Sequence, residues 1–341
     1  MATTLKQIAE HCGVSVPTVH KVLNNYKAPF AAETRARVLA AAKKLDYKPN
    51  LVARSLRNQR SMLIGVLLSE FHSVDSIPIM LGVQDVVTEQ SYSPIIFTHR
   101  DAAEERKCLQ LALDRQVDAL ILAPDIDDNG LTNREALTQP AVLKLPRVEL
   151  LGRFVPDVPY TLASSQAMID DAVGRLVEAG HERIGIVLRE DYKSQIAKSA
   201  LWWHIRDFVE AFEESLIKNP SVRPSYHLYG RSNMRRVVTQ AAVFKALDEA
   251  FTGDDPPTAL LSLSKHFFEA TVIYGEVYPE RLPPDFTITC EYDADTLRGP
   301  HVKTLRLKYP AEAIGRRAAR MVLDRINGKD VESYEVTEDD D

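Results

Sequence analysis

The sequence predicts an α/β protein with a small all-helical segment at its N-terminus, on three observations. The first sixty residues hold eleven Lys/Arg and three Asp/Glu, a charge of +8, whereas the other 281 carry 31 basic and 45 acidic side chains, or −14. Inside the basic segment, two short amphipathic patterns are separated by Gly13. From residue 62 onward, short apolar runs alternate with helical patterns, the mark of a parallel sheet covered by helices. A composition of 45% apolar and 26% charged residues over 341 positions supports packed cores in two or three domains and excludes a disordered or fibrous chain.

The basic segment is read first. Thr4-Leu5-Lys6-Gln7 has the spacing of a capping box. Leu5, Ile8, Ala9 and Cys12 then make the apolar stripe of a short helix, which Gly13 ends. Ser15 is a good cap for a second helix that buries Val19, Val22 and Leu23, and Pro17 is tolerated in its first turn. Two short helices joined by a glycine-containing turn are a helix-turn-helix. A third helix is predicted from Ala32 to Asp46 with Val38, Leu39, Ala42 and Leu45 inward, stopped by Tyr47-Lys48-Pro49-Asn50. Asn50 caps a last short stretch, Leu51–Arg57, which is too short for a stable isolated helix and reads as a linker that folds on binding.

The second helix presents Ser15, Thr18, His20, Lys21 and Asn24, with Val16 and Pro17 at its tip. Hydroxyls, amides and a helix N-terminus suit phosphates. Lys21 can bond guanine O6/N7, and Val16 or Pro17 can touch a thymine methyl. The same pattern also fits a small helical docking module with a solvated face, which the charge of +8 disfavours. Leu56 reads either as a wedge between base steps or as one apolar residue in a linker.

At these residues the chain resembles the LacI/GalR family of bacterial repressors. The likeness runs through Thr4–Ala9, Cys12–Ser15, Thr18–Asn24, Glu33-Thr34-Arg35 and Tyr47–Asn50, then through Ala53-Arg54-Ser55-Leu56-Arg57. It implies a DNA-reading headpiece over 1–48 that includes Thr4 and Leu5, a minor-groove hinge helix over 49–61 that includes Asn50, Ala53 and Leu56, and an effector-binding core over 62–341. It places Val16, Pro17 and Lys21 at base-reading positions and Ser15, Thr18 and Asn24 at backbone-contacting ones. The pair His20-Lys21 stands where the family usually has Ser-Arg, and Ala31 where it tends to have a capping Ser.

In the core, Met62–Leu68 is a buried-strand run, followed by a helix with Ile79, Met80, Val83, Val86 and Val87 on one face. Pro94–Phe97, a charged helix over Ala102–Arg115 and the run Val117–Ala123 complete a βαβαβ series. A second series starts near Gln166 with a helix burying Met168, Ile169, Ala172, Val173, Leu176 and Val177. Its strand Arg183–Leu188 echoes Leu63–Leu68, a sign of two similar halves. The last helical pattern is Ala311–Asn327. The resemblance implies a periplasmic-binding-protein-like core of two subdomains with parallel sheets, assigned here as 62–161 plus 292–325 and 162–291 plus 326–341.

Ligands in open α/β sheets sit outside the carboxyl ends of the strands. The candidate stretches there are Ser69–Asp75, Gly152-Arg153, Arg189–Lys193, Ser264-Lys265-His266 and Glu291-Tyr292-Asp293, and the effector candidates are Phe71, His72, Asp75, Arg153, Trp202, His204, Ser264, Lys265 and Asp293. Against the family pattern, His204 replaces a sugar-gripping arginine, Ser264-Lys265 an Asn-Asp pair, Tyr292 or Asp293 a late acidic residue, and Ser164-Ser165 an Asp-Asn pair. The resemblance implies a carbohydrate or derivative, and Arg153 with Lys265 favours an anionic one. Trp202 and Trp203 point about 100° apart on a helix, so one at most faces the ligand.

Other classes find no support. There is no Gly-x-Gly-x-x-Gly, Walker loop or nucleophile elbow, so no enzyme and no cofactor is expected. Cys12, Cys108 and Cys290 are too few and too dispersed for a disulfide framework or a metal quartet, and the nine histidines form no i, i+4 pair. No apolar stretch spans a membrane, and the N-terminus is unlike a secretory signal, so a cytoplasmic protein is expected. The expectation is a regulator that binds a pseudo-palindromic double-stranded operator as a homodimer, through surfaces near Ile79–Gln90 and late helices. The acidic end, Glu338-Asp339-Asp340-Asp341, reads as solvated, and the absence of leucine heptads excludes a coiled-coil tail. The alternatives are a small-molecule-binding protein without regulatory DNA binding, or a regulator that no longer senses an effector.

Overall fold

The computed structural model describes residues 3–23, 31–47, 60–69, 76–124, 133–198, 203–230, 240–290 and 299–340. They fall into two compact units, 1–61 and 62–341. In the first, α1 (Leu5–Cys12) starts at a complete capping box: the Gln7 amide donates to Thr4 Oγ1 at 3.3 Å, and the Thr4 amide donates to Gln7 Oε1 at 2.8 Å. Gly13 ends the helix at φ 62°, ψ 35°, a left-handed conformation open to glycine without a Cβ penalty. Helix α2 (Val16–Leu23) and α3 (Ala32–Lys44) close around Ile8, Ala9, Cys12, Val19, Val22, Val38, Ala41 and Ala42.

Two expectations for α3 are corrected. The helix stops at Lys44, and Leu39 is 46% exposed. The buried face runs through Val38, Ala41, Ala42 and Leu45, and Leu39 lies about 100° away from Val38 on that wheel. Asn24, Asn50, Ala53 and Leu56 lie outside the described residues.

The second unit holds two all-parallel sheets. In the first, β1 (Leu63–Ser69), β2 (Ser93–His99), β3 (Ala119–Ala123), β4 (Arg147–Leu150), β5 (Tyr160–Ala163) and β11 (Tyr334–Val336) lie in the order β11-β5-β4-β3-β1-β2. Ile64, Val66 and Leu68 face α4 (Ser76–Glu89) and α13 (Ala311–Ile326). Leu67 faces the opposite way, toward α5 (Ala102–Asp114) and the short helices α6 (Arg134–Leu137) and α7 (Pro140–Leu143). Burial on both faces is why these strands read as continuous apolar runs rather than alternating ones.

The second sheet holds β6 (Arg183–Arg189), β7 (Arg223–Tyr229), β8 (Ala259–Leu261), β9 (Thr287–Cys290) and β10 (Lys303–Arg306), in the order β10-β9-β8-β6-β7. Helices α8 (Ser165–Glu178) and α10 (Trp203–Lys218) cover Ile184, Ile186 and Leu188, and α9 (Tyr192–Lys198) precedes α10. Helices α11 (Gln240–Phe251) and α12 (Lys265–Val277) cover Val187 and Leu260. The echo between strands has a structural counterpart: Gly65 pairs in register with Leu120 and Gly185 with Leu260.

The structure revises the assignment of the last fifty residues. Lys303–Arg306 extends the second sheet, α13 packs on the first, and Tyr334–Val336 pairs with β5 of the first. Residues 303–306 were assigned to the first half and 326–341 to the second. Two short strands of three or four residues carry too little pattern to say which sheet they join. Helix α13, assigned to the first half through residue 325, is held against α4 by a glycine pair. A Cβ on Gly82 would lie 2.1 Å from the Glu312 carbonyl oxygen, and one on Gly315 would lie 2.0 Å from that of Ile79, so α4 and α13 meet backbone to backbone.

Candidate nucleic-acid interface and effector site

In the first unit, the start of α2 is the exposed end of the helix-turn-helix. Ser15, Val16, Pro17 and Lys21 are exposed, Val16 to 39%, while Val19 and Val22 behind them are buried. Ser15 Oγ accepts from the Thr18 amide at 3.3 Å and lies 2.8 Å from Thr18 Oγ1, so the cap fixes the helix tip and leaves both hydroxyls at its mouth. Exposed Lys6, Lys21, Arg35, Arg37, Lys43, Lys44 and Arg60 carry the described part of the basic charge. This is an arrangement for phosphates around a helix tip that presents small apolar groups and one cation. His20 is half-buried, unlike Lys21 beside it. Of the two α1 residues, Thr4 is exposed but engaged in its capping box, and Leu5 packs against the core.

Of the effector candidates, Phe71, His72, Asp75, Trp202 and Asp293 lie outside the described residues. The others are engaged with the protein itself. Arg153, after β4, pairs with Asp207 of α10 at 3.2 Å and with Glu335 of β11 at 2.5 Å. Lys265 is exposed and pairs with Glu269 at 3.7 Å. Ser264 caps α12, accepting from the Phe267 amide at 3.2 Å. Arg153 and Lys265, the two cations expected to favour an anionic ligand, thus both have carboxylate partners within the protein.

His204 is half-buried on α10, one turn before Asp207. Burial pulls its pKa down to about 4, with Asp207 opposing and Arg189 reinforcing the shift, so the ring is neutral at physiological pH. It offers one donor and one acceptor.

Two further polar residues bear on this region: Arg189, in one of the candidate stretches, and Glu149, which the sequence reading missed. Arg189, at the end of β6, makes a bidentate pair with Asp191 at 3.1 and 2.9 Å. Glu149 is buried in β4 and accepts from the amides of Phe154 at 2.6 Å and Val155 at 2.9 Å, which shapes the turn carrying Arg153. Burial raises its pKa to about 7 against those two amides and Arg147. The available signal was a charged pair, Arg147 and Glu149, inside an otherwise apolar strand.

A separate cavity of about 220 Å³ lies where α8 begins, lined by residues including Ser164, Asp171, Lys308, Pro310 and Glu338. Of the residues considered for the effector, its lining includes only Ser164. Ser164, expected at the ligand, caps α8 by accepting from the Ala167 amide.

Residues 4–50 match the family model described as bacterial regulatory proteins, lacI family. The chain is 26% identical over 344 residues to a probable HTH-type transcriptional regulator, EndR, of Paenibacillus polymyxa, covering 99% of this chain and 95% of that protein. It is 25% identical to the ribose operon repressor of Halalkalibacterium halodurans, over 97% of this chain and 93% of the relative. Its fold is similar to that of a lac repressor dimer bound to operator and the anti-inducer ONPF, with a TM-score of 0.66 at 19% identity, covering 98% of this chain and 96% of that one. The headpiece motif, the two-sheet core and these end-to-end likenesses agree: residues 4–50 match the headpiece model of the LacI family of bacterial regulatory proteins, and the chain is similar to regulators of transcription over nearly its whole length.

Proposed function

We propose that this protein is a transcriptional repressor that binds a pseudo-palindromic operator as a homodimer and is tuned by a small neutral polar effector, with a carbohydrate as the favoured class. The observation that carries the DNA reading is the exposed, capped tip of α2 set among surface cations, in the segment that matches the family model. Ser15 and Thr18 hold phosphates, while Val16, Pro17 and Lys21 read base edges. The domain reading follows: headpiece, linker, then a two-half core, in a cytoplasmic protein. Among the described residues no helix is long and apolar enough to cross a membrane.

The dimer reading is supported by the outer face of α4, where Ile77 is 62% and Leu81 49% exposed, and by Ile273 and Val277 at 42% and 51% on α12. Residues Ile79, Met80, Val83 and Val87 turn inward to their own sheet, so the contact uses the opposite face of α4 from the one they define. A neutral effector fits the site because Arg153, Arg189 and Lys265 are all matched by carboxylates and His204 is uncharged. The same pairing also favours a second reading, a regulator that no longer senses a small molecule.

Gel shifts of the full chain on a randomised duplex pool test the first part. Selected sequences should be two-fold symmetric, and log K should fall with log salt at about −0.9 per phosphate contacted. Lys21→Ala should relax specificity with little effect on folding. Equal affinity for all duplexes would exclude the reading. A thermal-shift screen of neutral sugars against sugar acids and phosphates, followed by gel shift with any hit, separates the two effector readings.

A further inference from the structure

Two cations join the halves of the core, and both are held by the last described strand and its extension. Arg153 belongs to the first half, where its guanidinium lies 5.2 Å over the Tyr160 ring and pairs with Glu335 of β11. From there it reaches Asp207 on α10, which packs on the second sheet. Lys308 lies in the crossing between β10 and α13. It pairs with Asp171 of α8, also on the second sheet, at 3.0 Å, and with Glu338 beyond β11 at 2.7 Å. Both links thus run from a carboxylate near the C-terminus, through a cation, to a carboxylate on the second half.

The segment that supplies them has a fixed shape, with Glu338 and Asp339 exposed at its end. Asp340 accepts from the Thr337 amide at 2.7 Å, the Thr337 hydroxyl at 3.0 Å and the Tyr334 hydroxyl at 2.7 Å. Arg317 of α13 covers the Tyr334 ring at 4.0 Å, and the Ser164 amide donates to the Val336 carbonyl. Glu335 and Glu338 are therefore presented from a folded edge.

We propose that residues 334–340 form a clasp that sets how far the two halves of the core open, acting through Glu335–Arg153–Asp207 and Glu338–Lys308–Asp171. Exposed ion pairs are individually weak, but an opening motion between two packed bodies is biased by small differences in free energy. Arg153 and Asp207 are the better-shielded members, with side chains 30% and 17% exposed. Asp207 stands one turn from His204, so a molecule bound against that imidazole would act directly on the link. The clasp rests on the two-half core alone and needs neither operator nor effector, so failure to find a ligand leaves it standing.

The test is the distance between spin labels on the full chain, at exposed Lys107 of α5 and exposed Glu214 of α10, both changed to cysteine. Asp207→Asn should shift and broaden the distance distribution, and Glu335→Gln with Glu338→Gln should do the same without touching α10. Arg206→Ala, which removes the other basic partner of Asp207 at 3.2 Å, should leave the distribution as in the parent. Raising salt to 1 M, where the screening length falls to about 3 Å, should move the parent toward the variants. Distributions that superimpose for all variants would overturn the clasp. So would a lowered melting temperature with an unchanged distance, which assigns these carboxylates to packing alone.

Discussion

The two halves of the core use one strand order and two different ways of packing. From β2 inward the first sheet runs β2-β1-β3-β4-β5, and from β7 the second runs β7-β6-β8-β9-β10, with a glycine facing a leucine at the matching register in each. The first half is completed by the end of the chain, with α13 against α4 through Gly82 and Gly315 and β11 at the sheet edge. The second is filled by rings: Phe251 meets Phe286 edge-on at 5.1 Å, Phe244 meets Tyr274 at 5.2 Å, and Tyr229 lies 5.5 Å from Phe267. One topology thus tolerates either a close backbone approach or bulky side chains, so that the halves should fail under opposite substitutions.

The largest effect is expected from deleting bulk in the second half. Phe267, wholly buried, should cost about 3–5 kcal/mol on change to alanine, measured by urea unfolding. Adding bulk should matter most in the first half. Gly315→Ala places a methyl against the Ile79 carbonyl and should cost about 3 kcal/mol, with hydrogen exchange accelerating in β1 and β4 before β6. Equal sensitivity of both halves to Gly→Ala would break the contrast.

The halves should also respond oppositely to pH. Glu149 has a folded-state pKa raised from 4.5 to about 7, so its contribution is full below pH 4.5 and is lost as pH rises through 7. His204 has one lowered from 6.5 to about 4, so its contribution is full above pH 6.5 and is lost as pH falls through 4. Each shift corresponds to on the order of 3 kcal/mol across its window. Since the two trends oppose each other in the whole chain, Glu149→Gln and His204→Gln should each expose the other in urea midpoints taken from pH 4 to 8. A parent and both variants with parallel pH profiles would remove this distinction. The smallest effect is outside the core: Ser15→Ala should cost about 1 kcal/mol of headpiece stability through its lost cap, seen in the thermal melt.

Legibility in the sequence followed the range of the interactions. Caps and turns are set by neighbours, so the Thr4–Gln7 box, the Gly13 stop and the Ser15 cap were readable from spacing. The core strands were readable because both faces are buried. The state of Arg153 was not, because its partners Asp207 and Glu335 lie far along the chain, as do Asp171 and Glu338, which Lys308 joins. Leu39 was misplaced for a simpler reason, since an apolar residue beside a buried face looks like part of it.

By itself the sequence determined a basic helix-turn-helix ahead of an acidic two-series α/β core, because local charge, capping and hydrophobic period are properties of contiguous residues. Tertiary structure alone decided which sheet receives the short strands β10 and β11, since a strand's pairing partner is not written in its own residues, and how closely α13 approaches α4, through two glycines more than two hundred residues apart. It also decided that Arg153 has carboxylate partners and His204 a neutral ring, because pairing and desolvation depend on what surrounds a side chain rather than on what precedes it.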